Sequence, residues 1–366
     1  MKIPVANLRP ALEAARADCR ACLDQMFERS QFILGEQVAA FEREFAAHLG
    51  ARYAVGVGTG TAAIELSLRD AGVNSRGQEV ITSALTAPFT GVAIVAAGAG
   101  LRLADVDPET LLLDPGDVEN RLSRRTAAIV PVHLYGAVCP MDRFAAHARL
   151  RRLVLVQDAC QAHGARYRGR PLTAYSPYVA YSFYPTKNLG CLGDGGAVVT
   201  NRAAIHRRLR GFRDGGRRGG QVAFTAGVNS RLDEMQACYL RAFLPRLAQW
   251  NARRSALAAL YDEALRDSPG LRLVRRTEES VCHLYVIRAR RRDRLRDYLA
   301  RHGIGTGVHY PVPLHLMPAF RDRGLRRGDL PHAERACREV VSLPLWPDMT
   351  EAEAYEVAGR VRRFYR

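Results

Sequence analysis

Between Tyr53 and Asp158 the chain alternates short apolar runs with stretches of helical spacing, and no other feature narrows its fold as much. The runs Tyr53-Ala-Val-Gly-Val57, Glu79-Val-Ile-Thr82, Leu101-Arg-Leu-Ala-Asp105, Ala127-Ala-Ile-Val-Pro-Val-His133 and Leu153-Val-Leu-Val-Gln-Asp158 are of strand length. Helical patterns lie between them, from Thr61 to Ala71, through Ala93, and from Met141 to Ala148. Near-continuous apolar strands joined by helices pair in parallel and are covered on both faces. The expected fold is therefore α/β with a mostly parallel central sheet, and its ligands belong at the carboxyl ends of the strands.

On either side of this block the pattern changes. Leu12, Ala15, Cys19, Cys22 and Met26 keep a three-to-four spacing, Val38, Phe41, Phe45 and Leu49 repeat it, and Gly35 breaks the two helices. A long helical stretch runs from about Arg231 past Trp250 to Leu265. After Gly270 come the run His283-Leu-Tyr-Val-Ile-Arg288, a helix from Arg292 to His302, the segment Gly303 to Val308 and a closing helix from Glu351, which together suggest a separate α+β layer. The expected division is a large domain over 1–245, N-terminal helices included, and a smaller one over 246–366. No apolar run reaches the ~18 residues of a membrane span, and Gly91 to Gly98 reads as a core helix. The first ten residues lack the apolar core of a secretion signal, so a reducing cytoplasm is the expected setting. Cys19 and Cys22 stand alone, without a second pair at metal spacing, and read as two helix thiols.

The net charge of +17 raises the question of nucleic acid. Such binders cluster their cations and interleave aromatics, whereas here arginines are spread along the whole chain. The reading is of no nucleic-acid partner, with a positive field that would draw in a polyanionic small substrate.

Only two of the 54 lysines and arginines are lysine, Lys2 and Lys187. Lys187 lies in Tyr181-Ser-Phe-Tyr-Pro-Thr-Lys-Asn-Leu-Gly190, followed by a glycine-rich turn into Ala197-Val-Val-Thr200, the pattern of an exposed loop between two strands. Arginine cannot form an imine, so a chain that uses arginine nearly everywhere and keeps one lysine in such a loop needs an amine there, and Schiff-base chemistry is the usual need. Asp158 ends an apolar strand and opens Asp-Ala-Cys-Gln-Ala-His-Gly164. A carboxylate there suits a pyridine cofactor, whose ring nitrogen stays protonated beside an anion; it equally suits the N-cap of a helix. Gly56-Val-Gly-Thr-Gly60-Thr-Ala62 joins a strand to a helix whose free N–H groups would hold a phosphate. It lacks the third glycine of a dinucleotide fingerprint and the Gly-Lys-Ser/Thr of a nucleotide P-loop.

Together these pieces resemble the DegT/DnrJ/EryC1/StrS family of sugar aminotransferases, on the residues Ser182 to Gly190 with Gly193-Asp-Gly-Gly196, Asp158 to Gly164, Asn229-Ser-Arg-Leu-Asp-Glu-Met-Gln236 and Tyr310-Pro-Val-Pro-Leu-His315. The resemblance covers the chain from about Ile33 onward. It implies the fold-type I aspartate-aminotransferase scaffold, pyridoxal 5′-phosphate, and amino transfer from glutamate to a keto-sugar on a nucleoside diphosphate. By the same resemblance Lys187 forms the Schiff base and shuttles the proton, and Asp158 pairs with the pyridinium nitrogen. Gln161 lies near the ring hydroxyl, and Ser182 with Gly60, Thr61 and Ala62 holds the phosphate. Asn229 reaches the cofactor phosphate of the other subunit of a homodimer, while Tyr310 and His315 line the sugar side, with His163 a weaker candidate. His163 and His315 could equally be satisfied buried histidines. Ala87 stands where many members stack an aromatic on the pyridine, and Phe89 is the nearby substitute. The basic, glycine-rich segment Arg210 to Gly220 reads either as a surface loop or as a clamp in which Arg217 or Arg218 closes over the substrate diphosphate. Alternative substrates are a keto-inositol or, for a sugar dehydratase, a keto-sugar; such dehydratases carry histidine at the position of Lys187.

With two lysines in the chain, borohydride reduction of the cofactor-loaded protein should leave a reduced adduct on Lys187 alone. Peptide mapping that finds it on Lys2 would remove Lys187 from the chemistry.

Overall fold

The computed structural model describes residues 2–217, 219–277 and 279–366. The five apolar runs form strands: β1 (Tyr53–Val57), β2 (Glu79–Ser83), β3 (Gly100–Ala104), β4 (Thr126–Val130) and β5 (Val154–Asp158). After a two-residue hairpin, β6 (Arg166–Tyr167) with β7 (Arg170–Pro171), come β8 (Tyr178–Ser182) and β9 (Gly196–Thr200). The central sheet has seven strands in the order β1-β9-β8-β5-β4-β2-β3. β9 pairs antiparallel with both β1 and β8, and every other neighbouring pair is parallel. The carboxyl ends of β1, β5 and β8 therefore lie on one edge, together with the start of β9, and Gly60, Asp158, Ser182 and Lys187 gather there.

Two remote carboxylates fix the helices around this sheet. Glu234, almost fully buried, accepts from the backbone N–H groups of Gly35, Gln37 and Val38 at 2.8, 2.9 and 2.9 Å, closing the open start of helix Glu36–His48. Those amides have no partner inside the helix, and a negative charge there also meets the positive end of its dipole. That helix then packs Phe41 and Phe45 edge-on against Phe183 and Tyr181. Asp105 does the same for helix Pro331–Glu339, accepting from His332 and Ala333 at 3.0 and 2.7 Å.

The second layer is the antiparallel sheet β10 (Leu271–Leu273), β11 (Tyr285–Ala289) and β12 (Val340–Leu343), with helices Leu247–Leu265, Arg292–Arg301 and Glu351–Tyr365. The last starts with a reciprocal capping box between Thr350 and Glu353. Its core holds Leu257, Tyr261, Ile287, Leu295 and Val361. A single cut near residue 245 does not divide the two cores. Ile3 belongs to the second, where the Lys2 and Ile3 amides bond Gly303 O, so the amino terminus is tied down at its backbone. Leu314, Phe320, Leu330 and Ala333 belong to the first.

Three local expectations change. Helix Pro88–Ala96 is not a core helix, because it buries Thr90, Gly91, Ala93 and Ile94 but exposes Phe89, Val92 and Val95. Cys22 is not a free helix thiol. It forms a disulfide with Cys238, which lies 216 positions away in the chain and on a neighbouring helix. The loop that carries Lys187 is only partly exposed: Tyr184 and Leu192 face solvent, whereas Phe183, Asn188, Leu189 and Cys191 are buried. Among the described residues no helix is long and apolar enough to cross a membrane, and no three His, Cys, Asp or Glu side chains converge as for a metal ion.

Replacing Glu234 with Ala leaves three buried amides without an acceptor and should destabilise the fold by about 2 to 4 kcal/mol. Glu234→Gln, which keeps an oxygen, should lose less. Urea unfolding checks this, and a loss below about 0.5 kcal/mol for the alanine variant would mean that the cap contributes nothing.

Candidate active site

Lys187 stands in the turn between β8 and β9, with its N–H bonded to Tyr184 O at 2.9 Å. Gly190 lets the turn fold on itself, because a Cβ there would lie 2.5 Å from Pro185 O. Burial lowers the amine's pKa, while the carboxylate of Asp158 pulls it back upward. A lysine so placed keeps more of the neutral, nucleophilic form than one in water.

Asp158 is the last residue of β5 and is buried. No helix follows for it to cap. Instead Oδ1 accepts from Cys160 N–H at 3.1 Å and Oδ2 from the Thr90 hydroxyl at 2.8 Å. Thr86 lies 3.1 Å behind Thr90. The carboxylate is thus held in one orientation from two sides, and sequence reasoning missed Thr90, whose contact spans 68 positions. The neighbouring thiol of Cys160 is pushed well above the ordinary cysteine range, by burial first and the Asp158 charge second, so it stays protonated.

The turn after β1 is pressed against the ends of β8 and β9. A Cβ at Gly60 would lie 2.6 Å from Ser182 Cβ and 2.8 Å from Cys160 Sγ, and one at Gly196 would lie 2.5 Å from the Thr59 carbonyl. Helix Gly60–Asp70 starts at this point. Its N-cap Thr59 takes the Ala62 N–H at 3.0 Å. The amide of Ala62 is thus taken by Thr59, and those of Gly60 and Thr61 are left open at the helix start. Beside them is the half-buried Ser182, whose Oγ accepts from Tyr184 N–H at 3.3 Å. A glycine-lined cradle with open amides and a hydroxyl fits a phosphate.

On the other side of Asp158, Gln161 is fixed at both ends of its amide, Oε1 by Tyr135 N–H at 2.7 Å and Nε2 by Tyr310 Oη at 3.1 Å. The phenol of Tyr310 is pushed up to about 12, chiefly by burial. The two histidines assigned to the substrate side are buried. His163 donates from Nε2 to Ser182 O at 2.8 Å, and burial with the Lys187 charge pushes it down to about 3, so it supports the phosphate serine from behind. His315 is fixed by Glu334 at 3.1 Å, with Nδ1 unpartnered. Phe89 is 63% exposed, on a different side of its helix from the buried Thr90.

Asn229 is exposed on a loop whose backbone bridges Asp214. Asp214 in turn binds Arg217 at 2.6 Å and Arg231 at 3.0 Å, so Arg217 is braced rather than free; Arg218 lies outside the described residues. A cavity of about 680 Å³ opens beside this loop, lined by five arginines between Arg207 and Arg217 against only Glu42 and Asp214. It is separate from the cradle at Lys187.

An amine kept partly neutral, a fixed carboxylate and a cradle for phosphate answer three groups of one molecule, the aldehyde, ring nitrogen and phosphate of pyridoxal 5′-phosphate. With the sheet topology, this places the chain in the class of fold-type I pyridoxal-phosphate enzymes. It belongs to the DegT/DnrJ/EryC1/StrS aminotransferase family, whose family model matches residues 14–362. It is 43% identical over 365 residues to a dTDP-3-amino-3,4,6-trideoxy-alpha-D-glucose transaminase of Streptomyces venezuelae, covering 99% of this chain and 96% of that one. A pleiotropic regulatory protein of Geobacillus stearothermophilus is 40% identical over 370 residues, covering 100% and 99%. The crystal structure of S. venezuelae DesV in complex with a ketimine intermediate superposes with a TM-score of 0.97 at 43% identity, covering 100% and 98%. The chain is an aminotransferase that works with pyridoxal 5′-phosphate.

Asp158→Asn keeps an acceptor oxygen for Cys160 N–H, replaces the other oxygen by an NH2 from which the Thr90 hydroxyl can accept, and removes the charge. It should leave cofactor binding within a few-fold and lower turnover by 100-fold or more, on the order of the loss of one well-placed charge. Near-normal turnover would assign the ring nitrogen to another group.

Proposed function

We propose that the chain moves an amino group from glutamate to a keto-deoxysugar carried on a nucleoside diphosphate. The observation that carries the reading is the held pair of Lys187 and Asp158 in a chain that aligns end to end with a transaminase named for such a sugar. When bound, the cofactor supplies an electron sink for a carbanion at the amino-bearing carbon. Asp158, aimed by Thr90 and Cys160, keeps the ring nitrogen protonated. The open amides of Gly60 and Thr61 and the Ser182 hydroxyl hold the phosphate, and Gln161 positions the ring hydroxyl. Lys187 carries the proton to and from the substrate carbon, a task its lowered pKa favours. Tyr310, locked to Gln161, faces the sugar.

The proposed active unit is a homodimer in which Asn229 reaches the partner's cofactor phosphate. Supporting this, Ile33, Leu192 and Met235 are 44, 42 and 44% exposed. They lie together, since Ile33 bridges Asp233 and Leu192 bonds Gln236. An exposed apolar patch of this kind marks an interface. The arginine-lined cavity beside the Asn229 loop suits the substrate diphosphate, with Arg217 as a braced wall of it and Arg207 and Arg210 on its rim.

Mixing an inactive Lys187→Ala chain with an inactive Asn229→Ala chain should restore up to about a quarter of the activity, because half the dimers are mixed and each has one intact site. If subunits exchange and no mixture recovers activity, the site is not shared.

A further inference from the structure

Asn188, which follows Lys187, is 3% exposed and spends every polar group of its side chain. Its Nδ2 donates to Asn251 Oδ1 at 2.8 Å and to Val281 O at 2.9 Å. Its Oδ1 is left as an acceptor, so the partner at 3.0 Å, His283 Nδ1, must carry the proton. His283 lies just before β11. Burial, then the charges of Lys187 and Arg254, hold its pKa well below the ordinary histidine value, so it is a neutral donor across the working pH range. The chain of bonds continues in the other direction. Asn251 Nδ2 donates to His163 O at 2.8 Å, and His163 to the Ser182 carbonyl. One path thus joins Ser182, the lysine turn, helix Leu247–Leu265 and the start of the middle strand of the smaller sheet.

We propose that Asn188 and His283 are positioning residues: their hydrogen bond fixes the turn carrying Lys187 against the start of β11, and so fixes where its amine points. Lys187 N–H is bonded to Tyr184 O, and a further anchor from the far side of the turn is Asn188. This inference rests on Lys187 being the cofactor lysine, but its test reads the lysine itself.

The groups facing the amine are Asp158 and Cys160 from the β5 end, His163 from the turn beyond it, His283 before β11 and His309. The variants below leave all of these except His283 in place. In the full-length chain stripped of cofactor, acetic anhydride labelling across pH, read by peptide mass spectrometry, reports each lysine's midpoint, and Lys2 serves as internal reference. Asn188→Ala and His283→Phe should let water into the turn and raise the Lys187 midpoint by about one pH unit, with Lys2 unmoved. His283→Asn, which retains an N–H donor, should return the midpoint toward that of the unaltered chain. An unmoved Lys187 midpoint in both disrupting variants overturns the proposal, as does an equal shift in His283→Asn and His283→Phe. Should His283→Phe fail to fold, Asn188→Ser breaks the same bond with less change of volume and is read the same way.

Discussion

At the carboxyl ends of β1 and β8 three backbone segments meet more closely than side chains allow, and the site depends on that approach. Gly60 and Gly196 are the residues that permit it: any Cβ at either would lie within 2.6 Å of a neighbouring atom. The consequence is positional. The start of helix Gly60–Asp70 is brought over Ser182, beside the thiol of Cys160 and two residues of chain from Asp158. The open amides of Gly60 and Thr61 and the carboxylate of Asp158 are then set by the same sheet register, without a flexible loop between them.

Around that approach the molecule commits charge to backbone. Glu42 accepts from Gly56 N–H at 2.7 Å and binds the buried Arg213, which also donates to Gly56 O at 2.7 Å. Ser230 Oγ accepts from Gly58 N–H at 3.0 Å. The segment that bears Asn229 therefore clamps the glycine turn after β1. Removing one member of such a buried pair is costly, since the other charge is left without a partner. This explains why a turn made mostly of glycine can nevertheless hold one shape.

The parallel sheet was legible because its signal is local: apolar runs such as Leu153 to Asp158 are buried on both faces and need no knowledge of their neighbours. The same holds for the lysine, which stood out against a background of arginine, and for Asp158 at a strand end. What could not be read were contacts between distant segments. Thr90 on Asp158, His283 on Asn188 and Cys22 on Cys238 join residues that carry no mark of their partners. His163 and His315 illustrate the converse. Both lie in segments that resemble functional ones, yet full burial makes the first a prop for Ser182 and the second a partner of Glu334. Helix Pro115–Asn120 escaped notice because six residues give too little periodicity to see.

The excess of arginine takes on a different meaning once the fold is in view. Much of it is internal bookkeeping: Arg208 grips Asp70 at 2.7 Å, Arg241 binds Glu44 at 2.8 Å and Arg288 binds Glu339 at 2.8 Å, each joining separate elements. A planar guanidinium that can bond two oxygens at once is suited to such joints, and lysine is not. At the cavity beside the Asn229 loop Arg208, Arg213 and Arg217 are held in the same way by Asp70, Glu42 and Asp214, which leaves Arg207 and Arg210 without an ion pair among the described residues. A net charge of +17 draws an anion toward the protein over a distance, whereas holding one takes cations that no carboxylate already occupies. Long-range attraction and local recognition are separate roles, and an arginine already held in an ion pair serves the first without being free for the second.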